Sequence, residues 1–210
     1  MAEGFDDARA FWDQRFSAPE YIFGKAPNRF LVSQAQWLRP GMRVLDVAAG
    51  EGRNAVWMAG QGCEVLGIDI SPLAVDKAKR LAAETGVEVA FEVADVRQLR
   101  WPPEAFDAVV SIFIQFAAPG ERSAVFEGMK RTLRPGGVLI MQGYTPKQIE
   151  YKTGGPPQAE HMYTEALLRA AFGADRSGGA QAGLSPARAT GLNYGGHGGH
   201  GGKTRLLFNR

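Results

Sequence analysis

The amino-acid sequence predicts an α/β fold with a single doubly wound, mostly parallel sheet and helices on both faces. The first observation is that apolar segments of strand length alternate with amphipathic segments of helix length. The second is that residues typical of helix starts and ends stand between these segments. The third is the size, because 210 residues with 45% hydrophobic residues can bury the core of one domain. Strands separated by helices pair in parallel through right-handed crossovers.

Individual elements follow from local patterns. Ser71 can accept hydrogen bonds from the free N–H groups of a helix that begins at Pro72, and Gly86 suits the position after its end. Thr164 is placed to start another helix in the same way. The predicted strands span residues 43–48, 63–69, 87–93, 106–113, 138–142 and 203–208. The predicted helices span residues 53–60, 72–85, 120–133 and 165–172.

Two regions depart from this alternation. Residues 1–40 precede the first strand and are rich in aromatic side chains, which suggests a helical lid over the active edge of the sheet. Residues 173–202 are glycine-rich and poor in large aliphatic side chains, so we expect a mobile loop. We therefore predict one domain over residues 1–210, with a core at 41–172. Hydrogen exchange should slow within 11–31 when cofactor binds and stay fast within 174–190.

Composition excludes several classes of function. The net charge of +2 argues against a dedicated binder of nucleic acid or of an anionic membrane. A single cysteine, Cys63, excludes a disulfide framework and a cysteine-based zinc cluster, and His197 and His200 have no clear third metal ligand. No apolar run approaches the length of a membrane span, and the polar N-terminus is unlike a signal peptide. We expect a cytoplasmic protein, monomeric or weakly dimeric, that acts on a small molecule and binds no metal.

The turn after the first strand indicates a nucleoside cofactor. Gly50 and Gly52 allow the backbone to bend sharply and to approach a ligand, and the next helix offers unpaired N–H groups. About 20 residues later Asp69 ends the second strand, where an acid can accept hydrogen bonds from ribose hydroxyls. The order of strand, turn, helix, strand and acid places such a cofactor at the switch point of the sheet.

Asp46 discriminates between two cofactors. Gly50, Gly52 and Ala55 also fit the fingerprint of dinucleotide binding, which would imply an NAD-dependent oxidoreductase. A carboxylate at Asp46 repels a pyrophosphate but attracts an ammonium group, directly or through water. S-adenosylmethionine carries an ammonium group and no phosphate, so the sequence favours this cofactor. A non-catalytic nucleoside-binding module is a further alternative.

Ordered motifs resemble those of class I S-adenosylmethionine-dependent methyltransferases. The motifs are VLDVAAGEGRNA, GIDIS, VADV, FDAVVSIF and LRPGGVLI. FWDQRF with YIFGKAPNRFL, and YTPKQIEYKTGGPP with HMYTEALLRAAF, resemble the small bacterial branch of tellurite-resistance and thiopurine-methyltransferase-like proteins. The likeness covers about residues 11–172 and resumes at 199–208. It implies a Rossmann-like fold whose final strand pairs antiparallel at the sheet edge.

The resemblance also implies roles for individual residues. Asp46, Gly50 and Gly52 would surround the methionine part of the cofactor, and Asp69 would bind the ribose. The position of Ala48 is usually glycine in the family, and Asn54 can bond either the ligand or the N-terminal segment. The remaining cofactor-site candidates, for the adenine and the transfer site, are Ile70, Asp95, Val96, Ser111 and Ile112. The substrate-site candidates are Tyr21, Phe23, Phe113, Gln115, Tyr144 and His200.

The chemistry of the acceptor follows from what the chain lacks. Gln115 and Phe116 stand where relatives often carry His-Leu, so a histidine base is absent there. The region between Asp46 and Gln115 offers no obvious Ser-His-Asp triad or lysine base, which favours a nucleophile that is already activated, such as a thiol or a chalcogen oxyanion. An amine or an acidic phenol also reacts without a strong base. No catalytic residue is assigned from the sequence.

Overall fold

Parallel strands alternate with helices along the chain, as the sequence predicts. A computed structural model describes residues 5–151, 155–173 and 205–209. The chain divides into two compact units, Met1–Leu99 and Arg100–Arg210. Among the described residues, no helix has the length and apolarity needed to cross a membrane. The predicted loop at 173–202, apart from Gly173, and His200 with it lie outside the described residues.

The first unit holds three parallel strands with β2 in the centre, next to β1 and β3. Val44 of β1 lies opposite Val65 of β2, and Leu66 of β2 lies opposite Ala90 of β3. Its elements are α1 (Phe5–Phe16), α2 (Arg29–Ser33), β1 (Arg43–Val47), α3 (Arg53–Gly60), β2 (Glu64–Asp69), α4 (Pro72–Thr85) and β3 (Ala90–Val93).

The signals at the ends of α4 act as predicted. Ser71 Oγ accepts a hydrogen bond from Ala74 N, and Pro72 occupies the first turn of the helix. At the other end Gly86 has the left-handed conformation that stops a helix. The N–H of Val87 then donates to the carbonyl of Ala82 and closes the last turn of α4. The sequence predicted that β3 begins at residue 87. Because Val87 is engaged in this bond, β3 begins at Ala90 instead.

The second unit is built around β5, which pairs in parallel with β4 and β6. Its elements are β4 (Phe106–Ile112), α5 (Pro119–Thr132), β5 (Leu133–Gln142), α6 (Lys147–Tyr151), α7 (Glu165–Phe172) and β6 (Arg205–Asn209). β5 begins earlier than predicted because Leu133 already pairs with Phe106. A shift in the pairing register between Phe106 and Ala108, together with the left-handed conformation of Gly136, accommodates the Pro-Gly-Gly sequence within the strand.

The prediction of an antiparallel final strand is wrong. β6 runs parallel to β5, with Val138 opposite Arg205 and Gln142 opposite Asn209. A parallel partner needs a crossover connection of a dozen residues or more. The chain between β5 and β6 is far longer than that and includes α6 and α7, so it can return to the same end of the sheet. The α/β class with parallel strands and flanking helices is confirmed.

Candidate functional site

The turn after β1 has the backbone shape that the glycine pattern predicts. Ala48, Gly50 and Gly52 all have positive φ, at 52°, 56° and 86°. This conformation costs glycine nothing, which explains why glycine is usual at the position of Ala48. At Gly52 space is decisive as well, because an added Cβ would lie 2.6 Å from the Cβ of Ala78. The turn therefore packs directly onto α4.

Asp69 fixes this turn through its side chain. Its Oδ2 accepts a hydrogen bond of 2.7 Å from Gly50 N, and its Oδ1 accepts one of 2.9 Å from Ser71 N. Burial raises the pKa of the Asp69 carboxyl, while these backbone N–H groups lower it. The carboxylate thus joins the glycine turn to the end of β2, a contact that the sequence did not predict.

Asp46 lies beside this turn with one oxygen unused. The side chain is 1% exposed, and Oδ2 is buried without a hydrogen-bond partner. Burial, and next the neighbouring Asp69 carboxylate, raise the pKa of Asp46 to about 7, while the Arg53 guanidinium lowers it. A buried acceptor without a partner costs free energy, so this oxygen suits a ligand that brings a donor or a cation.

Asp95 offers a second free acceptor in the same unit. Its Oδ1 accepts a hydrogen bond from Arg97 N at 2.9 Å, whereas Oδ2 is buried without a partner. Ala94 N donates to the carbonyl of Asp69, so the loop that carries Asp95 is joined to the end of β2. Val96 is buried next to it, and Ile70 is half-buried. The predicted adenine-binding residues are therefore all near the end of β2.

Side chains of the turn hold the N-terminal segment. Arg53 Nη1 donates to the carbonyl of Phe23 at 2.8 Å, and Asn54 Oδ1 accepts from Asn28 N at 2.9 Å. Asn54 was expected to bond either the ligand or the N-terminal segment, and this geometry favours the N-terminal segment. Tyr21 is half-buried and its hydroxyl donates to the carbonyl of Lys77, whereas Phe23 is 43% exposed.

Sequence reasoning missed a buried ion pair at the same place. Lys77 Nζ lies 2.8 Å from Glu51 Oε1, and both side chains are almost fully buried. The available signal was the pattern of α4, where Lys77 is flanked by Ala74, Ala78 and Leu81 on the apolar face. A lysine on an apolar face is buried only when it is paired.

The other predicted site residues lie in the second unit. Ser111 is fully buried and its Oγ has no partner, while Ile112 is half-buried at the end of β4. Phe113 has φ of 59°, which is unusual for a bulky residue, and its N–H donates to the carbonyl of Gln142 at 2.8 Å. Its ring stacks on Tyr144 with 4.5 Å between the ring centroids.

Both ends of the Gln115 side-chain amide are hydrogen-bonded to the backbone of Tyr144. Its Nε2 donates to the carbonyl of Tyr144 at 2.8 Å, and its Oε1 accepts from the Tyr144 N–H. The side chain is buried. Gln115 therefore positions Tyr144, and its amide has no basic atom with which to remove a proton.

A family model described as a methyltransferase domain matches residues 44–137. The crystal structure of an S-adenosylmethionine-dependent methyltransferase from Mesorhizobium loti is 25% identical, with a TM-score of 0.51, and the match covers 57% of this chain and 54% of that one. These matches show that residues 44–137 are similar to a methyltransferase domain, and they support the resemblance to class I S-adenosylmethionine-dependent methyltransferases. The match supports S-adenosylmethionine as the cofactor that the sequence predicts.

Two further relatives cover more of this chain. An uncharacterized protein of Mycobacterium tuberculosis is 31% identical over 65% of this chain and 50% of its own length. A structure from work on the conversion of a disulfide bond into a thioacetal group during echinomycin biosynthesis is 26% identical. Its TM-score is 0.64, and the match covers 78% of this chain and 76% of that one. The chain spans about half the length of the first curated relatives it matches.

Proposed function

We propose that this chain transfers a methyl group from S-adenosylmethionine to a small molecule whose accepting atom is already nucleophilic, such as a thiol or a chalcogen oxyanion. The observation that carries the proposal is the buried, unpartnered Oδ2 of Asp46 beside the glycine turn. A cofactor with an ammonium group satisfies this oxygen, whereas a pyrophosphate would be repelled by the carboxylate. The oxidoreductase alternative loses its support for this reason.

The described residues of the first unit fit the cofactor. Asp46 would hold its ammonium group, Asp69 its ribose hydroxyls and Asp95 Oδ2 its adenine amino group. Gly50 and Gly52 would allow the close approach of the backbone. When bound, the cofactor supplies a methyl group on a sulfonium, so the protein mainly orients the acceptor and excludes water.

The residues after β4 support an activated acceptor. Residues 111–116, the last two residues of β4 and the loop after it, read SIFIQF and contain no titratable side chain. Gln115, at the position where the resemblance expects histidine, has both ends of its amide engaged with Tyr144. This loop contains no base for an acceptor that must lose a proton before it reacts. A thiolate needs no base, because it is already deprotonated.

Sulfur chemistry in a relative points the same way. The structure with the TM-score of 0.64 belongs to work on the conversion of a disulfide bond into a thioacetal group. The resemblance of residues 11–31 and 144–172 to tellurite-resistance and thiopurine-methyltransferase-like proteins likewise favours a soft acceptor atom. Phe113 and Tyr144 would border this acceptor.

Calorimetry followed by a transfer assay tests the proposal. The protein should bind S-adenosylhomocysteine and should not bind NAD measurably. It should then methylate at least one member of a panel of thiols, selenols and tellurium oxyanions, with phenols and amines as the comparison group. Tight binding of NAD without binding of S-adenosylhomocysteine would overturn the cofactor assignment. Cofactor binding without transfer to any acceptor would favour the non-catalytic nucleoside-binding module.

A further inference from the structure

In the turn after β1, the backbone forms the proposed cofactor site, whereas the side chains bond the N-terminal segment. Three of the turn's side chains bond residues 20–28, which we call the strap. Glu51 Oε2 accepts from Phe23 N at 3.3 Å, Arg53 donates to the Phe23 carbonyl, and Asn54 accepts from Asn28 N. The strap is thus attached to the same residues whose backbone forms the proposed cofactor site.

The ion pair between Glu51 and Lys77 is the buried part of this attachment. Lys77 Nζ donates both to Glu51 Oε1 at 2.8 Å and to the carbonyl of Glu20 at 2.7 Å. The hydroxyl of Tyr21 donates to the carbonyl of Lys77 at 3.0 Å. Each member of the pair therefore holds one end of residues 20–23. With side chains only 2% and 4% exposed, neither charge can exchange its partner for water.

We propose that Glu51 and Lys77 are positioning residues that couple the strap to the cofactor turn, so that an ordered strap favours cofactor binding and bound cofactor orders the strap. The inference rests on the proposed function, because the turn is taken as the cofactor site. Glu51 stands between Gly50 and Gly52, so any movement of the turn moves the carboxylate that holds Phe23. Coupling between two such sites is reciprocal, and its usual size is 5- to 150-fold in affinity, as an order of magnitude.

The chain supplies a matched control on the same strap. Lys25 pairs with Glu84 of α4, but this pair is about half exposed and does not involve the turn. Removing it alters the strap at the surface, where an ion pair contributes little. The double variant Lys25→Met with Glu84→Gln therefore loses a strap contact without disturbing Gly50, Glu51 or Gly52.

The test combines hydrogen exchange with cofactor calorimetry. The double variant Glu51→Gln with Lys77→Met removes both charges together, so that neither is left buried and unpaired. We expect faster exchange within residues 20–23 of the free protein and about tenfold weaker binding of S-adenosylhomocysteine. Lys77→Arg, which keeps a cationic donor, should stay close to wild type in both measurements, as should the control double variant.

Two results would overturn the coupling. Unchanged exchange within residues 20–23 would show that the pair does not hold the strap. Faster exchange with unchanged affinity for S-adenosylhomocysteine would show that the strap does not influence the turn. If wild type binds no S-adenosylhomocysteine, the proposed function fails, and the exchange of the free variants still tells whether the pair holds the strap.

Discussion

The turn after β1 and the loop after β4 each follow a parallel strand, yet their side chains differ. The turn contains charged residues, since Glu51 and Arg53 are bonded to the strap, and the buried Asp46 of β1 lies beside it. The end of β4 and the loop after it, residues 111–116, contain none. Both bend through left-handed backbone, but the turn includes glycines there and the loop has Phe113.

The difference separates two tasks. A charged cofactor needs fixed carboxylates, and the turn holds them in place with backbone N–H groups before the ligand arrives. In the loop, the only amide side chain, that of Gln115, is hydrogen-bonded to the backbone of Tyr144. The ring of Phe113 stacks on that of Tyr144. We infer that the turn supplies affinity for the cofactor and that the loop shapes the acceptor site.

The largest effect is expected on stability from Gly52→Ala. An alanine there would have φ of 86° and a Cβ 2.6 Å from the Cβ of Ala78. Left-handed backbone and overpacking together should cost about 3 kcal/mol. Gly136→Ala in the second unit is the control, since its added Cβ meets nothing within 4 Å and only about 1 kcal/mol is expected. Urea unfolding measures both, and equal losses would contradict the tight packing of the turn.

Asp69→Ala should weaken S-adenosylhomocysteine binding by about ten- to a hundred-fold. The substitution would remove the proposed charge-assisted contact to the ribose, worth roughly 1.5–3 kcal/mol. It also leaves Gly50 N and Ser71 N without their acceptor. Asp69→Asn keeps an oxygen acceptor and should lose less. Calorimetry that finds the affinity of Asp69→Ala unchanged would show that the ribose lies elsewhere.

Cofactor affinity should depend on pH through Asp46. Because its folded pKa is raised from 3.8 to about 7, the carboxyl is protonated below that pH and cannot pair with an ammonium group. Affinity for S-adenosylhomocysteine should fall about tenfold per pH unit below 7. The free protein should show the opposite trend, with stability that decreases as pH rises from 3.8 to about 7, since the folded state holds the proton longer.

Asp46→Asn should abolish the pH dependence of cofactor affinity and reduce that of stability, to which the raised pKa of Asp69 also contributes. Asp107→Asn, in the second unit, removes a partly exposed carboxylate that pairs with Arg134 and serves as the control. Binding isotherms between pH 5.5 and 8.5, about three pH units around the raised value, give the comparison. A pH profile of Asp46→Asn that matches wild type would assign the titration to another group.

The smallest effect is expected from Gln115→Ala. Loss of both bonds to the Tyr144 backbone should loosen the aromatic pair and raise the KM for the acceptor by about threefold to tenfold, equivalent to roughly one hydrogen bond. The affinity for S-adenosylhomocysteine should stay within about twofold of wild type, which separates the acceptor side from the cofactor side. An equal loss of cofactor affinity would contradict the division between turn and loop.

Local signals explain how much of the fold the sequence predicts. Ser71 and Gly86 bound α4 as expected, because capping depends on neighbouring residues alone. The start of β3 was placed three residues early because Val87 closes α4 instead of pairing in the sheet. The predicted antiparallel direction of β6 was wrong. The edge of β5 can pair with a parallel or an antiparallel neighbour, and the path of the connecting chain decides between them.

The sequence by itself determined the α/β class and the glycine turn and predicted the cofactor, because each depends on residue types at short, fixed spacings. Only the tertiary structure decided which side chains at the end of β1 and in that turn are free and which are engaged. Asp46 keeps an unpartnered oxygen, whereas Glu51 is paired with Lys77 and Asn54 with the strap. The physical reason is that a buried polar group takes its partner from whatever the fold brings within 3 Å or so, and such partners are distant in the chain.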